Sequence, residues 1–206
     1  MSPRRAAALR ESDDRDLRTH LVATAERLIA EQGGAGLTVR AIAKAAGVAD
    51  GVLYNHFADK EELLAAALHA HITAVHRDFP PLPAPGTATV ADNLAVCLRQ
   101  GLAFHRAVLP IFASLLAQPV ILAKFGAAQG DSRPWREMVA DYLAAERDLG
   151  RVAADADLAA AVAVLVGICH DEVLSALLPG GPRHGPPPAV DSVVATLLKG
   201  IAPHPD

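Results

Sequence analysis

Aromatic side chains make up only 4% of this 206-residue sequence, and Trp135 is its single tryptophan. Long alternating runs of β-branched residues are also missing, so no sheet is indicated. There are two cysteines, Cys97 and Cys169. Both fall in apolar helical stretches, which points to buried free thiols rather than a disulfide scaffold and suits a reducing cytoplasm. No strong excess of positive charge exists: the net charge is −4, with +1 over residues 1–60 and −5 over the rest. That argues against a nonspecific coat on nucleic acid. The longest uncharged run of the C-terminal half, between Asp157 and Asp171, is too short to span a bilayer, and the start Met-Ser-Pro-Arg-Arg shows no apolar leader. A cytoplasmic protein with no membrane partner is expected. Gly-x-Ser-x-Gly, a phosphate loop, a dinucleotide fingerprint and His-Glu-x-x-His are all absent, so no enzyme class is supported and no cofactor is expected.

What is present is alanine and helical periodicity. Hydrophobic residues are 51% of the chain, and the pattern is that of close-packed helices. A basic arm over residues 1–13, with Arg4, Arg5 and Arg10, precedes a first helix from about Asp14 to Gln32. Its apolar stripe is Leu17, Leu21, Ala25, Leu28 and Ile29, and Gly33-Gly34 stop it. Thr38 to Leu63 then form the most informative stretch. Thr38 is a good N-cap. Val39, Ile42, Ala43 and Ala46 share one helical face, and Gly47 can take the left-handed conformation that ends a helix. Val48 re-enters the core. Leu53 and Phe57, four apart, anchor a second short helix. Asp59 and Glu62 form a capping-box pattern for the next helix.

That order of helix, tight turn and helix is the form of a helix-turn-helix, whose second helix enters the DNA major groove. The strings Ala-Gly-Val, Gly-x-Leu-Tyr-x-His-Phe and Lys-Glu-x-Leu-Leu resemble the signature of the TetR family of bacterial transcriptional repressors. The resemblance covers residues of about 15–65. It implies DNA contacts from Thr38 and Arg40 on the first helix. It implies phosphate contacts from Tyr54, His56 and Lys60, and sequence choice at Asp50 and Asn55. Two departures stand out. Ala49 and Val52 occupy positions where the family often has a hydroxyl residue. Asp50 can accept from cytosine N4, or can cap the recognition helix in place of Ala49. The cap is the favoured reading.

The remaining helices are expected from Lys60 to the prolines that begin at Pro80, at 90–109, a short one between Pro110 and Pro119, then 135–149, 156–178 and from Val190 onward. Pro-rich loops fall at 80–85 and 179–188. A helix apolar all round, such as Leu158 to Cys169, should be buried all round. His170, Asp171 and Glu172 interrupt that helix; three consecutive residues cannot share one face, so either one or two of them face a cavity and orient a ligand or the helix turns them to a surface or interface edge. Cys97, His105, Cys169 and His170 fit no compact metal-ligand spacing, and core packing is the better account. The expectation is an all-α protein of about nine helices. A helix-turn-helix DNA-binding domain (14–60) would be followed by an effector-binding and dimerisation domain (61–206). The resemblance implies double-stranded operator DNA, a homodimer through helices 8 and 9, and a small hydrophobic effector. Phe104, His105, Phe112, Trp135, Tyr142 and His170 are the candidate lining. An all-helical enzyme using His170 and Asp171 is the alternative.

Overall fold

The computed structural model describes residues 3–34, 36–128, 133–178 and 186–201. Among them are nine helices and no strand: α1 (Pro3–Gln32), α2 (Val39–Ala46), α3 (Asp50–His56), α4 (Lys60–Asp78), α5 (Val90–Leu115), α6 (Pro119–Ala127), α7 (Trp135–Asp148), α8 (Leu158–Leu177) and α9 (Val190–Ile201). The chain forms two compact units. The first holds Met1–Ala74 and Pro110–Asp131, the second Val75–Leu109 and Ser132–Asp206. The unit that contains the helix-turn-helix therefore runs beyond residue 60 and recruits a later segment.

In the first unit, α1 buries Leu21, Ala25 and Ile29 against Ile42 and Ala43 of α2, Leu53 of α3, and Leu63, Leu64 and Leu68 of α4. α2 opens on Thr38, whose hydroxyl accepts from the Ala41 amide at 3.1 Å, and closes on Gly47 at φ 73. The left-handed residue lets the Val48 amide reach back to the Ala43 carbonyl at 3.0 Å, which fixes the sharp turn. Ile111, Leu115 and Ile121 join this core. Gly34 lets the later segment approach closely: a Cβ there would lie 2.3 Å from Leu115 Cδ2.

The second unit packs Leu94, Cys97, Leu98 and Leu102 of α5 against Trp135, Val139, Tyr142 and Leu143 of α7 and Ala161, Val162, Leu165 and Cys169 of α8. From α9, Val194 is buried here, with Val190, Val193, Leu197 and Leu198 packed against the same core.

Several sequence expectations change. α1 starts at Pro3 rather than near Asp14. Pro suits the first turn, where its missing amide has no partner to lose, and Ala6-Ala7-Ala8-Leu9 are strong helix formers. The side chains of Arg4, Arg5 and Arg10 lie outside the described ones. Pro110 does not end α5, which runs through it to Leu115. Burial of Ile111 and Leu115 offsets the lost amide bond, a cost of about 3 kcal/mol. The short helix is α6 instead, with Pro119 at its start. α8 is not buried all round: Val164 (49%), Leu174 and Leu177 are exposed. By length and composition alone α8 is also able to cross a membrane, because the helix continues past the short uncharged run. The Pro-rich loop expected over 179–188 lies outside the described residues as far as 185.

Candidate functional site

α3 is held by its inward residues Leu53 and Phe57, so its other side faces outward. Tyr54 is 60% exposed, Asp50, Gly51 and Asn55 are exposed, and Val52 and His56 are half-buried. Arg40 and Thr38 are exposed at the start of α2, and Lys60 stands half-buried at the start of α4 with Glu61 3.9 Å away. The structure thus gathers all nine sequence-derived DNA-contact candidates into one unit.

The N-cap of α3 is Ala49, with no side-chain hydrogen bond, and Asp50 is the first helical residue. The capping role expected of Asp50 is therefore corrected. Its carboxylate lies one position too far into the helix and complements only the helix dipole. The absent cap is the direct consequence of alanine where a hydroxyl would serve.

The α3–α4 corner is built more firmly. Asp59 caps α4, its Oδ1 accepting from the Glu62 amide at 2.8 Å. Glu62 reaches back to the amide of Ala58 at 2.8 Å, one residue before the usual capping-box partner. Two cations that the sequence pattern did not flag grip this corner. Arg18 of α1 donates to the His56 carbonyl and, at 3.2 Å, to Glu62, and lies 4.1 Å over the Phe57 ring. Lys124 of α6 donates to Asp59 at 2.7 Å. Lys124 and the Glu62 amide hold the Asp59 carboxyl below its ordinary value; the Ala58 amide and then Arg18 do the same for Glu62. Only a fold that brings α1 and α6 to the corner reveals either cation. Gly51 lies on the same exposed side of α3. A Cβ there would meet nothing within 4 Å, so the protein's own packing does not require it.

In the second unit, a ring cluster joins α4, α5, α7 and α8. His76 stacks on Phe104 at 4.4 Å, and His105 lies edge-on to Phe104, Trp135 and His170 at 5.5, 5.4 and 5.1 Å. His105 Nδ1 pairs with the Gly101 carbonyl at 2.7 Å, which makes it the protonated nitrogen. Burial lowers the pKa of His76, His105 and His170, so these rings are neutral near pH 7. The Trp135 indole N–H is buried without a hydrogen-bond partner. Of the six effector candidates, Phe104, His105, Trp135 and His170 come together. Tyr142 is in the same core, and burial raises its hydroxyl pKa. Phe112 does not join them; it packs in the first unit, its ring edge-on to Phe125 at 5.2 Å. Of the polar triplet, His170 enters the cluster, Asp171 is exposed, and Glu172 pairs with Arg106 at 2.8 Å. Burial pushes both thiols up to about 12, and no metal-binding group occurs among the described residues.

Fold and site together define an all-α helix-turn-helix protein with a second helical unit. Residues 21–67 match the family model for bacterial regulatory proteins of the tetR family. It is 32% identical over 89 residues to the HTH-type transcriptional repressor NemR of Escherichia coli strain K12, covering 43% of this chain and 45% of that relative. The chain thus matches less than half the length of that curated relative. Among solved structures it resembles the flavonoid-responsive regulator FrrA, with a TM-score of 0.65 and 25% identity over 92% of this chain and 99% of that one. It also resembles the multidrug binding protein EbrR complexed with ethidium, with a TM-score of 0.58 and 26% identity over 90% and 98% of the two chains.

Proposed function

We propose that the protein is a cytoplasmic, ligand-responsive repressor that binds a palindromic operator as a homodimer and leaves it when a small hydrophobic effector binds. The outward face of α3, with Tyr54 60% exposed on a helix anchored by Leu53 and Phe57, carries this reading. Thr38, Arg40, Ala49, Asp50, Val52, Tyr54, Asn55, His56 and Lys60 form the DNA surface, with Lys60, Tyr54 and His56 on phosphates. Arg40, Asp50, Val52 and Asn55 face base edges.

Dimerisation through α8 and α9 is supported by the uncovered apolar residues Val164, Leu174 and Leu177 and by a groove of about 540 Å³ lined by Ala160, Val164, Ile168, Val193 and Leu197. Exposed apolar patches of this kind mark association surfaces. Release follows if effector and operator favour different arrangements of one dimer.

The effector is apolar and uncharged or weakly acidic. Supporting this, the ring cluster of the second unit holds neutral histidines and a spare indole N–H, with the character of a small-molecule site. One similar protein is flavonoid-responsive by name. The test is a labelled duplex selected by the protein, titrated with planar apolar compounds and with phosphorylated metabolites. Release by the former supports the reading, and release by the latter alone contradicts it.

A further inference from the structure

Arg18 has no place among the DNA-contact residues, yet it makes three contacts at once with the corner that carries them. Its guanidinium donates to the His56 carbonyl at the end of α3, donates to Glu62 at 3.2 Å, and covers the Phe57 ring at 4.1 Å. A single planar cation thus ties α1 to the last turn of α3 and the first turn of α4. The His56 carbonyl is one of those a helix end leaves without an internal partner, and a cation there also meets the negative end of the dipole. Glu62 in turn accepts from the Ala58 amide at 2.8 Å, so the fork closes on a carboxylate that the backbone already holds. Lys124 holds the neighbouring carboxylate, Asp59, from α6 at 2.7 Å. Both cations are spent on protein carboxylates.

Resting on the DNA-binding reading above, we infer that Arg18 is a positioning residue for DNA recognition, acting through the His56 carbonyl and Glu62 to fix the angle of α3. It contributes no phosphate contact of its own. Tyr54 and His56 stand on the helix that Arg18 pins, and Lys60 stands between the two gripped carboxylates. Guanidinium geometry is essential, because lysine cannot reach a carbonyl and a carboxylate with one rigid fork while lying over a ring.

Ordinary electrostatics predicts the opposite sign for part of this arrangement. Glu62 is a negative charge beside a surface proposed to meet phosphates, so its removal should tighten DNA binding by simple Coulomb attraction. If it anchors Arg18, its removal should weaken binding.

The test uses the full chain and a duplex that the wild-type protein enriches from a random-sequence pool. R18M, R18K, E62Q and the R18M/E62Q double variant are compared by affinity at several salt concentrations, with circular dichroism confirming that each is folded at the assay temperature. R18M and E62Q should each lose roughly tenfold in affinity, the scale of one charge-assisted hydrogen bond. The double variant should lose little more than either alone. R18K should keep the charge but not the affinity. The slope of log affinity against log salt should stay at the wild-type value in R18M, whereas a lost phosphate contact lowers it by about one. A reduced slope would make Arg18 a direct phosphate ligand and overturn the inference, as would tighter binding by E62Q or unchanged affinity of folded R18M. Should R18M fail to fold, E62Q and R18K decide it alone. If the wild-type protein enriched no duplex, the DNA-binding reading itself would fall, and the inference with it.

Discussion

Gly51 occupies a helix where glycine costs about 0.5–1 kcal/mol relative to alanine, and no neighbour in the protein fills the space a Cβ would take. On the proposed DNA-binding reading, close approach of a DNA backbone would account for that choice. Gly51→Ala should raise the unfolding free energy by about 0.5–1 kcal/mol in a denaturant titration and weaken operator binding. Equal or tighter binding would remove Gly51 from the interface. Gly101 is the contrasting case: a Cβ there would sit 2.3 Å from the Trp135 ring. Gly101→Ala should destabilise the protein by about 1–3 kcal/mol, read from thermal melts, because an indole boxed into a core cannot move aside. At this scale the sequence disclosed the residues whose identity belongs to a motif, such as Thr38, Gly47 and Asp59. Arg18 and Lys124 were not legible, since their partners lie 44 and 65 residues away in the chain. The Asp50 cap was misplaced because a one-residue shift in a helix start separates a cap from a first-turn residue.

Helices followed their hydrophobic stripes where both ends carry stop signals, as α2, α7 and α9 do. The reading failed at Pro110, where one residue type was weighted above the packing of its neighbours. α9 shows a subtler limit. Its stripe reads as an interface, but Val194 is buried inside the second unit's own core, so Asp at that position would damage the fold rather than report on association. The free apolar face belongs to α8. Val164→Asp and Leu174→Asp should shift the protein from dimer to folded monomer in light scattering at micromolar concentration. A monomeric wild-type protein would contradict the proposed pairing.

Acid should weaken the whole molecule in two windows. Folding lowers the pKa of His76, His105 and His170 from 6.5 by burial, so below that value the unfolded chain takes up protons that the folded rings refuse. Their stabilising contribution is complete above pH 6.5 and is lost as pH falls toward their folded values. Asp59 and Glu62 are depressed from 3.8 and 4.5. Their contribution is complete above those values and is lost only in stronger acid. Melting temperatures followed from pH 8 to 3 should decline in both ranges, and His105→Gln should flatten the first. A Tm independent of pH between 7 and 5 would contradict the buried neutral histidines. Trp135, the only tryptophan, gives a direct readout of the ring cluster. Apolar ligands that release DNA should change its fluorescence and compete with one another.

The central claim is that the outward face of α3 reads DNA, and enrichment of duplexes from a random-sequence pool tests it most directly. The account predicts a palindromic sequence with half-sites separated by about one helical turn, 34–36 Å, or a multiple of it. It further predicts that Lys60→Ala weakens binding to every duplex and lowers the salt slope by about one. Enrichment of no sequence, or equal retention of selected and random duplexes, would contradict it.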